Sequence, residues 1–429
     1  MSLSSLSPIS YAHIATWAVA ALATAGVIVR PGKWPEAVWA VAGALVLVAA
    51  QLLPWRSAFE AVGKGLEVYL FLAGMMLVSE LARREGLFEF LAARAVHYAH
   101  GSPTRLFMGI YGIGVVVTVF MSNDATAVVL TPAVYAAAKK AGAKPLPYLL
   151  ACAFVANAAS FVLPISNPAN LVIFGEHLPP LGRWIAQFAL ASVASIVVTY
   201  ATLRWLQRDA LSAPIAQDIP QPTLSASGKL AGAGIALVAL VLVATSAMHG
   251  PLGAATLAAS ALASIVVMLK KRESPLHVLR GISWSVFALV AGLFVLVEGL
   301  AHSGLIQLLA DALRHAAAES PTGTALGSGA LVAVLCNLMN NLPAGLMAGS
   351  VMASADASPL IRSAVAIGID LGPNLSLTGS LATLLWLVAI RREGEDVTAW
   401  QFLRVGAVVM PAALVAALGA LYMQNAIWH

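Results

Sequence analysis

Residues 115–130 read VVVTVFMSNDATAVVL, and residues 333–348 read AVLCNLMNNLPAGLMA. Each is an apolar run broken at its middle by small polar side chains: Ser122-Asn123-Asp124 in the first, Asn340-Asn341 just before Pro343 in the second. The apolar stretches that hold these breaks, 105–138 and 322–354, do not read as ordinary crossings. Whether each crosses once or turns back decides the topology of everything after it.

The rest of the chain sets the solvent. Of 429 residues, 60% are hydrophobic and only 10% charged, and the mean hydropathy is +0.87. Soluble globular proteins carry about 25% charged residues, so this chain has too little charge to cover a surface in water. The net charge of +5 does not point to nucleic acid, because Lys and Arg sit in short clusters between long apolar runs. The composition is that of an all-α polytopic membrane protein. Apolar runs of about 17–25 residues mark crossings; they fall near 11–29, 36–53, 66–82, 148–174, 184–206, 230–248, 251–269, 282–301, 361–390 and 400–424. No Lys or Arg precedes Arg30, so the first run lacks the basic start of a cleaved signal and reads as a retained span. Cys152 and Cys336 both sit in apolar runs, which leaves no disulfide framework and no Cys-rich metal site.

Basic residues concentrate in cytoplasmic loops, and they decide the question of the two broken stretches. With the N-terminus outside and both stretches returning to the side they entered from, 19 of the 24 basic residues are cytoplasmic. Only Arg56, Lys64, Arg183, Arg314 and Arg362 fall outside. A single crossing at either stretch would flip every later loop and destroy the asymmetry. The expected architecture is therefore about ten full spans plus two re-entrant hairpins, with both termini outside. The proline-containing polar segment 208–228 reads as a cytoplasmic linker between the halves 1–207 and 229–429.

The halves resemble each other at an offset of 218 residues: Gly74 matches Gly292, Glu80 matches Glu298, Gly86 matches Gly304, and His97 matches His315. Ser102-Pro103-Thr104 matches Ser320-Pro321-Thr322, and Met121 and Asn123 match Met339 and Asn341. Five expected crossings separate Glu80 from Glu298, an odd number, so the repeats are inverted. Inverted repeats with interrupted helices at the midplane are the architecture of many secondary transporters. Glu80 and Glu298 sit at opposite ends of their spans and read as braces; His97 and His315 fall on amphipathic interfacial segments.

Two further interruptions lie inside spans: Ser166-Asn167-Pro168-Ala169-Asn170 and Asp370-Leu371-Gly372-Pro373-Asn374-Leu375-Ser376-Leu377-Thr378. They align at an offset of 213, which sets Asn157 opposite Asp370. Proline frees a carbonyl and glycine permits unwinding, and such backbone is tolerated at membrane depth only against protein or a watery cavity. Two hairpin tips facing two unwound helices enclose one polar site. Its expected substrate ligands are Ser122, Asn123, Ser166, Asn167, Asn170, Asn340, Asn341, Asn374, Ser376 and Thr378. Intramembrane carboxylates mark function or proton routes, which nominates Asp124 and Asp370 for coupling. No Lys or Arg lies in the four interruptions, so a neutral, weakly polar or cationic cargo is expected. There is no phosphate loop, no catalytic pair and no cofactor motif.

These motifs resemble those of the arsenical-pump membrane proteins, within an ion-transporter superfamily that includes sodium-coupled dicarboxylate carriers. Phe120-Met121-Ser122-Asn123-Asp124-Ala125-Thr126, Ser166-Asn167-Pro168-Ala169-Asn170, Asn340-Asn341-Leu342-Pro343 and Gly368-Ile369-Asp370-Leu371-Gly372-Pro373-Asn374 carry the resemblance. Dicarboxylate carriers place Ser-Asn-Thr at both tips, whereas here the tips read Ser-Asn-Asp and Asn-Asn-Leu. The resemblance implies export of arsenite and antimonite in exchange for protons from a bacterial inner membrane, in some members with a soluble cytoplasmic ATPase as partner. Arsenite at neutral pH is an uncharged trihydroxide, which Asn and Ser side chains can bind without a cation. The alternatives are a sodium/proton antiporter, an organic-anion carrier or, from another class, a passive channel.

Overall fold

Chain segments that must satisfy every backbone N–H and C=O away from water fold as helices. The computed structural model describes residues 11–175, 178–216, 223–248, 250–274 and 276–428, and among these there are helices and no strands. Residues 217–222 of the expected linker lie outside the described residues.

The first half runs α1 (Tyr11–Val29), α2 (Glu36–Ala49), α3 (Trp55–Lys64), α4 (Leu66–Arg84), α5 (Leu87–Ala99) and α6 (Pro103–Met121). It continues through a single turn, α7 (Asn123–Ala125), into α8 (Thr131–Lys140), then α9 (Leu146–Ala158), α10 (Pro168–Phe174) and α11 (Leu181–Leu206). The second half follows with α12 (Ala226–Ala247), α13 (Leu252–Lys271), α14 (Leu276–Leu279), α15 (Ser285–His302), α16 (Leu305–Glu319), α17 (Pro321–Met339) and α18 (Asn341–Ser354). It ends with α19 (Pro359–Leu371), α20 (Leu381–Arg392) and α21 (Ala399–Trp428).

Among the described residues eight helices are long and apolar enough to cross a bilayer, or nine if α3 and α4, bent by 45°, form one span. Ten full crossings were expected from the sequence. Three of the expected ten fall short: α2 has only 14 residues, and the runs at 148–174 and 361–390 are not continuous helices but α9 with α10 and α19 with α20, each pair separated by unwound chain. Helices α6 and α17, expected as arms of re-entrant hairpins, are among the eight. Helices α3 and α14 are absent from the sequence reading.

The element boundaries keep the two offsets. Shifted by 218, the bounds of α6 coincide with those of α17; shifted by 213, the bounds of α9 coincide with those of α19. Gly86 and Gly304, equivalent at 218, both adopt left-handed backbone (φ 71° and 77°) where the chain turns into α5 and α16, a conformation glycine takes without a Cβ clash.

Contacts between the halves are reciprocal. Helix α4 crosses α13, and α15 crosses α2. A Cβ on Gly74 would lie 2.7 Å from backbone atoms of Thr256 and Leu257, and one on Gly292 would lie 2.7 Å from the Ala40 backbone. Each half thus carries one glycine, at equivalent positions, that lets its helix approach the other half's first helix pair.

Six polar contacts between distant segments fall into two groups, at opposite ends of the helices. Lys139 reaches Glu395 (3.9 Å), Lys271 reaches Glu85 (2.9 Å), and Arg84 donates to the His277 carbonyl. At the other end Lys64 pairs with Glu298 (2.7 Å), Gln187 donates to the Pro359 carbonyl (3.0 Å), and Arg314 donates to the Ser354 carbonyl (3.0 Å). Each contact joins segments that the charge pattern puts on one side. Glu80, held by Arg83 and Arg84, and Glu298, held by Lys64, brace those opposite ends.

Candidate transport site

The segment between α6 and α8 turns back on itself. The Ile215 and Ala216 N–H groups donate to the carbonyls of Gly101 (3.2 Å) and Ala141 (2.9 Å), so its two ends lie together. Thr118 and Thr126 share a hydroxyl hydrogen bond of 2.8 Å across the turn. At its apex Ser122 has φ 96° and ψ 159°; the residue one repeat on, Asn340, has φ 71° and ψ 151°. This region is essentially reserved for glycine, and a side chain there costs about 1–3 kcal/mol. The two halves thus hold strained backbone at equivalent tips. Ser122→Gly is expected to stabilise the detergent-solubilised protein by about 1 kcal/mol, read as a raised Tm. An unchanged or lowered Tm would show that the tip is not strained. Beyond the tip, Thr126–Leu130 forms a π-turn. Pro132 follows it and has no N–H to offer the preceding turn, and such π-bulges recur at functional sites.

The tips rest on the unwound segments. Ser166 accepts from the Leu163 N–H (3.1 Å) and donates to the Val119 carbonyl (3.1 Å). At the other tip Thr378 donates to the carbonyl of Asn337 (3.0 Å), the residue equivalent to Val119 at the 218 offset. The Asn337 amide donates to the Gly372 carbonyl (3.0 Å) and accepts from Ser376 (2.7 Å), while the Asn341 N–H donates to Gly379 (2.8 Å). Ser166, Ser376 and Thr378, all expected to bind substrate, have their hydroxyls engaged in seating hairpins. Asn340 is likewise spent as a cap, accepting from the Leu342 N–H at 3.3 Å. Asn337 gave no separate signal, because a lone Asn in an apolar helix reads as interhelical glue.

Between the tips the halves exchange polar side chains. Asp370, fully buried, accepts from Asn167 of the other half at 2.6 Å, and Asn170 lies beside the same carboxyl. Asn157, also fully buried, donates to Asn374 (3.0 Å) and Thr383 (3.4 Å) of the other half. The 213 offset relates Asn157 to Asp370, Asn167 to Ser380 and Asn170 to Thr383. Both Asn167 and Ser380 cap their helices, accepting from Ala169 and Thr383 N–H groups. Asn374 is satisfied at both ends, since it also donates to the Phe154 carbonyl (3.2 Å).

Four buried oxygens here have no partner among the described residues: Asn123 Oδ1, Asn157 Oδ1, Asn170 Oδ1 and Asp370 Oδ2. All are acceptors. A buried acceptor left unmade costs about 1–3 kcal/mol, so the centre is built to receive donors.

A cavity of about 580 Å3 opens beside the first tip, and none of the four unpartnered acceptors lines it. Ser122, Asp124 and Pro168 line its deep part, and Glu80, Arg83, Arg392 and Glu393 line it toward the end where Lys139 meets Glu395. Asp124 therefore sits on a path that Asp370 does not line. The absence of basic residues from the four interruptions does not extend to this cavity: Arg83 and Arg392, 309 positions apart, both enter it. A Cβ on Gly349 would lie 2.9 Å and 3.0 Å from the carbonyl oxygens of Ile173 and Val172, so α18 lies directly on α10.

The citrate transporter family model matches residues 19–369. The chain belongs to the citrate transporter family. It is 27% identical over 408 residues to an arsenical pump membrane protein of Escherichia coli, covering 90% of this chain and 92% of that one. A second, from Escherichia coli strain K12, is 28% identical over 369 residues, covering 82% and 84%. An uncharacterized transporter of Mycobacterium tuberculosis strain H37Rv is 24% identical over 429 residues, covering 95% and 97%. The crystal structure of the Alcanivorax borkumensis YdaH transporter superposes with a TM-score of 0.58 at 16% identity, over 86% of this chain and 88% of that one. The similarity to arsenical pump membrane proteins therefore extends along nearly the whole chain, and the protein is a multi-pass membrane transporter of the citrate transporter family.

Proposed function

We propose that this citrate-transporter-family protein exports arsenite or antimonite, as the neutral trihydroxide, in exchange for protons across a bacterial inner membrane. The observation that carries this reading is the set of four unpartnered acceptors at the centre, Asn123, Asn157, Asn170 and Asp370, with no cation among them. A trihydroxide offers three O–H donors and needs no counter-charge. Ionised Asp370 accepts an O–H through Oδ2; once protonated, that oxygen no longer serves as the same acceptor. Substrate and proton then compete for one atom, which is sufficient for exchange. In this reading Asp124, on the cavity wall, passes the proton between Asp370 and water.

Alternating access between two inverted repeats with re-entrant hairpins is the matching mechanism. It is supported by the retained offsets, the paired ends of the first hairpin, the cavity at one end and the close approach of α18 to α10 at Gly349. Exchange of a neutral solute for protons draws on both the pH gradient and the voltage, at about 2.3 kcal/mol per charge per 100 mV.

A second reading, an organic-anion carrier, is favoured by one observation, the two guanidiniums of Arg83 and Arg392 in the cavity. Uptake into energised everted vesicles separates the two. Arsenite accumulation that collapses with a proton uncoupler and ignores excess citrate supports arsenite–proton exchange. Citrate accumulation without arsenite accumulation overturns it in favour of the anion carrier.

A further inference from the structure

The two-fold exchange at the centre is chemically unequal, and the inequality falls at one pair of positions. Asp370 and Asn157 are equivalent at the 213 offset, both are fully buried, and each reaches residues at the start of the other half's second broken helix: Asp370 to Asn167, Asn157 to Thr383. Each keeps one oxygen without a partner, Oδ2 in Asp370 and Oδ1 in Asn157. The same inequality appears in reverse at the tips, where Asp124 stands opposite Leu342 at the 218 offset. Each half therefore supplies one carboxyl to the centre, and the equivalent position in the other half is neutral.

We propose that Asn157 is a substrate ligand and the proton-silent counterpart of Asp370. Its Oδ1 accepts a hydroxyl from the bound polyhydroxy solute, while its amide holds the Asn374 and Thr383 side chains in place. A carboxyl at this position would place a second acid in the dry core; an amide binds the same hydroxyl without taking a proton. The inference rests on the transport reading above. Asn157 was visible in the sequence only as the residue aligned with Asp370. On helix α9 it combines complete burial with an acceptor that has no partner. The buried ionisable side chains on α9 and on the elements packed against it are Asp370 on α19, Tyr111 on α6, and Tyr148 and Cys152 on α9 itself, with Asp124 half-buried at the first tip.

The experiment compares wild type, Asn157→Ala and Asn157→Asp as purified full-length protein. Arsenite binding is measured by equilibrium dialysis at pH 5.5 and 7.5, and proton-to-arsenite ratios are measured in proteoliposomes. Asn157→Ala is expected to weaken binding about tenfold, one lost hydrogen bond's worth, with the proton ratio of any residual exchange unchanged. Asn157→Asp is expected to bind like wild type at pH 5.5, where the new acid is protonated and can both donate and accept. At pH 7.5 it should bind several-fold more weakly, whereas wild type shows no such added pH dependence. Wild-type affinity in Asn157→Ala, or rescue by Asn157→Asp that ignores pH, overturns the proposal. If Asn157→Ala does not fold, the Asn157→Asp pH comparison decides alone. Failure of wild type to bind or exchange arsenite at all overturns the transport reading and this inference with it, an outcome distinct from a working wild type with indifferent variants.

Discussion

Asp370→Asn will reduce proton-driven arsenite accumulation in everted vesicles to none. At 100 mV, exchange against one proton supports a gradient of roughly 50-fold, from about 2.3 kcal/mol of driving force; the variant is expected to equilibrate at a ratio of about one. The substitution keeps the shape and the oxygen that accepts from Asn167 at 2.6 Å, and it removes the acid. Because Asp370 is fully buried, a neutral amide there spares the fold the desolvation of a charge. Folded yield and Tm should hold or rise, so the loss is one of coupling. Asp124→Asn, on the cavity wall, should slow exchange and leave the final gradient in place. Uncoupler-sensitive accumulation by Asp370→Asn would remove Asp370 from the coupling role.

The second large effect concerns the crossing that places Asp370. Helices α17 and α19 meet through residues without side chains. A Cβ on Gly329 would lie 2.6 Å from the Ala364 carbonyl oxygen; one on Gly368 would meet the Gly329 carbonyl and lie 2.8 Å from Val332. Neither neighbour is a flexible side-chain tip. Gly368→Val should therefore destabilise the protein by about 3 kcal/mol or more, with loss of transport, because Gly368 stands two residues before Asp370. Gly329→Ala should cost somewhat less. Gly327→Ala, on the same helix and with nothing within 4 Å, is expected to be neutral or slightly stabilising through helix propensity. Thermal unfolding of the three variants in one detergent tests this, and equal Tm values for Gly327→Ala and Gly368→Val would refute the close-crossing argument.

Much of this molecule was legible beforehand because polar residues are expensive in an apolar chain. The breaks at Ser122-Asn123-Asp124 and Asn340-Asn341 lie where α6 and α17 end, and the 218 and 213 offsets recur in helix bounds. Helix α3 escaped notice because its ten residues are amphipathic and it joins α4 through a 45° bend. A hydropathy reading merges such a segment into a loop. Ser166, Ser376 and Thr378 were recognised as polar groups at the right depth, yet their hydroxyls hold carbonyls and an amide of the hairpins. The sequence shows that a hydroxyl is present; only packing shows whether it is already bonded. The same holds for Asn337, the organiser of the second tip, and for Asn157, whose free oxygen depends on partners more than 200 residues away.

What the sequence determined by itself was the solvent, the helical class, the breaks and the pairing of the halves, all consequences of where charge and backbone breakers can be tolerated in a bilayer. What only the tertiary structure decided was which polar atoms are spent and which are left. It also decided that Arg83 and Arg392 open into one cavity with Asp124, and that Asp370 lies off it. Hydropathy is a property of each residue and its neighbours in the chain. Hydrogen-bond satisfaction is a property of atoms brought together across the fold, and the unpartnered acceptors of Asn123, Asn157, Asn170 and Asp370 became visible only once the packing around them was known.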